Sequence, residues 1–219
     1  IASGAARLLG LRLPLNFNSP YRSLSVGEFW KRWHITLTTF LRECVYFPLG
    51  GSRKGAGRTY GNILVIFLIS GFWHGAGWTF LVWGALHGLG QVAERAWGSG
   101  RDRLPRALRW ALTFLFVNLA WVFFRAPDLA AAGELLRAAV TGGLAAPQDW
   151  LLEGLFSKET GALRLLVPAL TPWEDALRLL VLYGAGLAAA LWPRNVQERM
   201  DTFRPTVRLG LGLGILMVW

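Results

Sequence analysis

Between Asn62 and Ala93 the chain carries no carboxylate, no lysine and no arginine. A water-solvated domain rarely leaves so long a run without charge. Over the whole chain only 16% of residues are charged, against about 25% in ordinary soluble domains. Cysteine occurs once, at Cys44, which excludes an intrachain disulfide within these residues. Histidine occurs three times, at His34, His74 and His87, with no thiol or acidic partner at ligand spacing, so no metal site is expected. Gly-x-Ser-x-Gly is absent. So is Gly-x-x-x-x-Gly-Lys-[Ser/Thr], which removes support for nucleotide hydrolysis.

Acidic residues are also scarce, 13 against 23 basic ones, for a net charge of +10. In a soluble protein that excess would point to nucleic acid. Here the basic residues sit in short loops beside apolar runs, as cytoplasmic loops do. The expected partners are membrane lipids with anionic headgroups and an anionic donor, not nucleic acid.

What is abundant agrees. Hydrophobic residues make up 53% of the chain, with 12 tryptophans and 13 phenylalanines, an aromatic load suited to membrane interfaces. The expected class is an all-α integral membrane protein. The chain opens at Ile1 and stops at Trp219 inside an apolar run, and it reads as a fragment of a longer protein.

Leu13-Pro-Leu-Asn-Phe-Asn-Ser-Pro20 reads as a linker, since its prolines do not continue a helix. Ser25 or Gly27 is placed to cap the next element, and Glu28 suits its first turn. Phe29, Trp30, Trp33, Leu37, Phe40, Leu41, Cys44 and Val45 then follow helical spacing. An amphipathic helix over 28–49, lying in the interface or re-entering the bilayer, is the expectation. A basic loop follows at 51–58. The uncharged run is too long for one crossing of a bilayer core about 30 Å thick. Gly75-Ala-Gly77 divides it into pieces near 61–75 and 78–96, a hairpin over 61–97. Gly71-x-x-x-Gly75 and Gly84-x-x-x-Gly88 each offer a small-residue face for close backbone approach.

Membrane spans are expected at 110–124, 177–192 and 209–219. The loops 51–58, 98–109 and 194–208 are basic and 125–175 is net acidic. The positive-inside rule puts the basic loops in the cytoplasm and 125–175 outside, as short helices on the membrane.

His74 lies between Trp73 and Trp78 at the glycine break. It is either a hydrogen-bonded packing residue or a functional group, the default for ionisable residues at membrane depth. Broken helices there line cavities or are buried in protein, and a low-dielectric setting favours the neutral imidazole that a general base requires. His34, on the border of its helix, is open to either reading. His87, between two glycines, reads as a helix–helix hydrogen bond.

Three ordered blocks then coincide: Glu28-Phe-Trp-Lys-Arg-Trp-His-Ile-Thr-Leu37, Leu41-Arg-Glu-Cys-Val-Tyr-Phe-Pro-Leu-Gly-Gly-Ser-Arg-Lys-Gly55, and Gly71-Phe-Trp-His-Gly-Ala-Gly-Trp-Thr-Phe80 with Trp83-Gly-Ala-Leu-His-Gly88. Together they resemble the membrane-bound O-acyltransferase family, in its bacterial branch for alginate and other polysaccharide O-acetylation. Trp121-Val-Phe-Phe-Arg-Ala-Pro127 is similar to that branch as well. The chain departs from it at Arg42-Glu43-Cys44, where the branch commonly has Arg-Asp-Tyr.

The resemblance implies a multi-helix bundle with re-entrant helices around a central cavity. It also implies transfer of an acetyl group from acetyl-CoA, with no bound cofactor, to a hydroxyl acceptor for an exported polysaccharide. It gives His74 the catalytic place and puts His34 on the same cavity. Arg53, Lys54, Trp73 and Trp78 are the expected substrate-binding residues. The implied location is a bacterial inner membrane, multi-pass, with a periplasmic acetyltransferase as partner. The alternatives are D-alanyl transfer to teichoic acid, a proton-coupled transporter, and a scaffold without chemistry. A transporter would want carboxylates inside the spans, and the hairpin has none between 61 and 93.

Overall fold

The computed structural model describes Ala6, residues 9–141 and residues 174–191, and the described residues are helical with no strand. In chain order the α-helices are α1 (Val26–Arg32), α2 (Ile35–Leu41), α3 (Gly55–His74), α4 (Trp78–Trp97), α5 (Arg106–Arg125), α6 (Leu129–Thr141) and α7 (Glu174–Leu191). A π-helical turn, Arg42–Tyr46, continues α2, and a 3₁₀ helix, Gly98–Arg103, joins α4 to α5.

The antiparallel pair α3 and α4 carries the fold. They turn at Gly75-Ala-Gly77, and their backbones touch at Gly71 and Gly84. A methyl group on Gly71 would strike the carbonyl oxygen of Phe80, and one on Gly84 would strike that of Phe67. Only glycine permits this approach, the use of small residues expected from the sequence. The core forms where α1 and α5 close over the pair: Phe29, Trp30, Phe67, Trp83, Val117 and Ala120 are buried together.

The start of α1 is held from two sides. Ser25 Oγ accepts the N–H of Glu28 at 2.9 Å, so Ser25, rather than Gly27, is the cap. Glu94, near the end of α4, accepts the N–H groups of Val26 and Gly27 at 2.7 and 3.0 Å. The remaining orphan donors of that helix start are thereby satisfied. Glu94 also pairs with Arg101 at 3.3 Å.

One correction concerns 28–49, expected as one amphipathic helix. The chain breaks at Trp33, which is extended, and His34, at φ 45° and ψ 53°. The reason lies in the linker: Asn18 N–H donates to Arg32 O at 2.8 Å, and Ile35 N–H donates to Asn16 O at 3.0 Å. Residues 16–18 thus take over backbone groups that a continuous helix would have paired internally.

Among the described residues one helix, α5, is long and apolar enough by length and composition to cross a membrane. Polar residues dilute the others. Arg58 and Asn62 lie in the first turns of α3, which begins inside the basic loop rather than after it. Gln91, Glu94 and Arg95 close α4, and Glu174, Asp175 and Arg178 open α7. The span expected at 209–219 and most of the acidic segment 125–175 lie outside the described residues.

Candidate active site

His74 ends α3, immediately before the glycine break, and is half-buried. Aromatic rings surround it: Trp73 at 4.7 Å, Phe124 at 5.1 Å, Trp83 at 5.3 Å and Phe80 at 6.5 Å between centroids. A side chain on Gly75 would collide with the Phe80 ring, so glycine there lets Phe80 close against the imidazole.

His34 stands at the break between α1 and α2, also half-buried. Its ring is 6.0 Å from that of Trp73, so both histidines meet the same indole. His34 Nδ1 is 3.2 Å from Asn16 Oδ1. Trp73 and Trp78 are exposed, at 59% and 73%, so ring faces remain open beside His74.

The third histidine is in another environment. His87 is fully buried and accepts the indole N–H of Trp30 at Nδ1, 3.1 Å away, which ties α1 to α4. That is the helix–helix hydrogen bond expected of it. Among the described residues no group of three metal-ligating side chains occurs.

A cavity of about 790 Å³ opens between α1, α2, α3 and the α4–α5 connection. Its inner wall includes Trp30, Phe67 and Ser70, and Ser70 lies one turn before His74 on α3. Its rim is basic. The acidic lining residues Glu28, Glu94 and Asp102 pair with Arg32, Arg101 and Arg109, at 2.9, 3.3 and 3.0 Å. Lys31, Arg42 and Arg95 supply a surplus of positive charge. Neither His34 nor His74 lines this cavity, and Arg53 and Lys54 do not either. Those two are exposed at the start of α3, where the Lys54 side chain lies across Gly50. The basic rim residues come from elements far apart in sequence, and no local motif marks them. Asn16 was hidden in a stretch whose prolines signal only a linker.

The family model for MBOAT, the membrane-bound O-acyltransferase family, matches residues 1–127, which hold both His34 and His74. The chain belongs to the membrane-bound O-acyltransferase family. It is therefore a membrane protein of a family that transfers acyl groups to oxygen. The chain is 48% identical over 144 residues to a peptidoglycan O-acetyltransferase of Helicobacter pylori, covering 64% of this chain and 27% of that one. It is 41% identical over 166 residues to the probable alginate O-acetylase AlgI of Azotobacter vinelandii, covering 75% and 32%. Lower, at 33% over 147 residues, is a teichoic acid D-alanyltransferase of Streptococcus thermophilus, covering 56% and 35%. The chain spans about a third or less of the length of these membrane-bound O-acyltransferase relatives.

Proposed function

We propose that the full-length protein moves an acetyl group from acetyl-CoA to a hydroxyl acceptor, for O-acetylation of an exported polysaccharide. The observation that carries this reading is that His34, at the α1–α2 break, and His74, in a hairpin without carboxylates between 61 and 93, meet the same Trp73 ring. Two imidazoles that meet one aromatic ring suit proton transfer at neutral charge. Relatives with O-acetyltransferase and O-acetylase names support the same reading, and the D-alanyltransferase match is more distant.

In the proposed reaction neutral His74 takes the proton of the acceptor hydroxyl as its oxygen attacks the thioester carbonyl carbon. The O–C bond forms and the C–S bond breaks. The proton then passes from the imidazolium to the departing thiolate, leaving an ester, free coenzyme A and neutral His74. His34 orients the acceptor or stabilises the oxyanion. The surplus charge of Lys31, Arg42 and Arg95 receives the donor's phosphates, with longer-range attraction from Arg53 and Lys54. The exposed rings of Trp73 and Trp78 offer apolar faces to the acceptor. On this reading the protein is a multi-pass enzyme of a bacterial inner membrane, working with a periplasmic acetyltransferase.

The test is transfer of labelled acetyl from acetyl-CoA by the full-length protein in vesicles, with a His74→Ala variant beside it. The variant should insert normally and lose transfer. Normal polysaccharide acetylation by His74→Ala would sink the assignment and favour a scaffold. Proton movement without any acetyl transfer would favour the transporter.

A further inference from the structure

We propose that Asn16 is a positioning residue of this site, holding His34 in the Nδ1–H tautomer with a bare Nε2 lone pair. The inference rests on the acyl-transfer reading above for its role, and on geometry alone for the tautomer.

The geometry starts at the backbone. Among the described residues outside glycine, only Ser19 and His34 have positive φ, and a non-glycine residue there is held by its surroundings. At His34 the holder is Asn16. Its backbone oxygen accepts Ile35 N–H at 3.0 Å, and its side-chain oxygen accepts Thr36 N–H at 3.1 Å and Thr36 Oγ1–H at 3.0 Å. The first donors of α2 are thus satisfied by one residue of the preceding linker, since His34 does not cap the helix with its own side chain.

The same oxygen decides the imidazole. A backbone N–H can only donate, so the Asn16 atom facing Thr36 is Oδ1; the amide nitrogen there would set donor against donor. His34 Nδ1 lies 3.2 Å from that oxygen and must therefore carry the proton. In the neutral ring Nε2 is then an acceptor. A neutral His34 in this state takes a hydrogen bond from a second hydroxyl of the acceptor, not the one whose proton His74 removes, and has no N–H left for an oxyanion. Of its two proposed roles, the tautomer selects orientation of the acceptor.

The groups around His34 leave Asn16 in control of it. Phe17 and Trp73 present rings at 6.0 Å. Arg32 is engaged by Glu28 and by Asn18 O. His74 is the titratable group that shares the Trp73 ring with His34.

The experiment uses the full-length protein in vesicles with Asn16→Asp, Asn16→Ala and Thr36→Val. Two readouts are followed against pH: the acetyl transfer rate, and carbethoxylation of His34 by diethylpyrocarbonate, which reports neutral imidazole without needing activity. Asn16→Asp keeps the accepting oxygen and adds a negative charge beside the ring. It should raise the His34 midpoint, and with it the acid limb of the rate, by about one pH unit or more. Asn16→Ala should lower kcat roughly 10- to 100-fold with little change in KM for the donor. Thr36→Val removes a bond to Asn16 but not the one to His34, and should stay active. A merely structural Asn16 predicts the reverse, damage from Thr36→Val and no midpoint shift in Asn16→Asp; that result, or a wild-type rate for Asn16→Ala, would overturn the proposal. If the wild-type protein transfers no acetyl while the midpoint still moves, the tautomer assignment stands. The transfer reading, and with it any role for Asn16 in transfer, then falls.

Discussion

Trp30 donates its indole N–H to Nδ1 of His87 across 3.1 Å, and so fixes His87 with its proton on Nε2. His34, facing an oxygen instead of an N–H, has the opposite arrangement. Replacing Trp30 by Phe keeps most of the buried ring but leaves Nδ1 of His87 without its donor. A buried acceptor left unpaired costs about 1–3 kcal/mol. Trp30→Phe should lower the unfolding temperature in detergent, and an unchanged temperature would remove this bond from the account of stability.

Protonation of His34, like that of the base His74, should depress the transfer rate. Partial burial holds the His34 imidazole below the usual range. The neutral form therefore persists through neutral pH and is lost only as pH falls past that lowered value. A rate profile flat near pH 7, with an acid limb below about 6.5, the ordinary imidazole value, is expected. An acid limb above that value would contradict the burial seen here.

Gly84 and Gly61 make a paired test of the hairpin. Gly84→Ala drives a methyl into the Phe67 carbonyl, whereas Gly61, on the same helix as Phe67, has nothing within 4 Å of an added methyl. Gly84→Ala should destabilise by about 1–3 kcal/mol. Gly61→Ala should gain up to about 1 kcal/mol from helix propensity. Thermal melts of the two variants, side by side, check both signs.

Glu94 holds the first turn of α1 from another helix. In Glu94→Ala the N–H groups of Val26 and Gly27 lose their acceptor and Arg101 loses its partner. Hydrogen exchange at Val26 and Gly27 should quicken on the order of tenfold or more, matching the loss of about 1–3 kcal/mol for such bonds. Exchange at Phe67, inside α3, should change far less.

The basic rim predicts a split in kinetics. Arg42→Glu reverses one of the three surplus charges, and should raise KM for the donor about tenfold while kcat stays near the wild-type value, as loss of uniform binding does. The same change at Arg53, outside the cavity, should have a smaller effect. The comparison, run at low and high salt, separates local contact from long-range attraction.

Sequence spacing made much of this visible. The uncharged run and its glycine break announce a hairpin, and the chain turns at those glycines because Gly75 admits Phe80. His87, enclosed by small residues, reads as an interhelical contact and is one. The break at Trp33–His34 was not legible. Helical periodicity runs straight through it, because side-chain spacing does not record backbone bonds supplied by Asn16 and Asn18. The cavity rim was equally hidden: Lys31, Arg42 and Arg95 converge through packing of α1, the π turn and α4, not through any local motif.

The left-handed backbone at His34 narrows what position 34 can hold. Glycine, asparagine and aspartate enter that region with little strain, whereas alanine or a β-branched residue pays on the order of 1–2 kcal/mol. Loss of the imidazole and loss of the backbone corner can therefore be separated at a single residue. His34→Gly or His34→Asn removes the ring and spares the bend, and His34→Ala damages both. A site whose orienting imidazole sits on a corner of this kind has a small local alphabet. Histidine is the member that fits the corner while its neutral ring offers a bare nitrogen lone pair near neutrality.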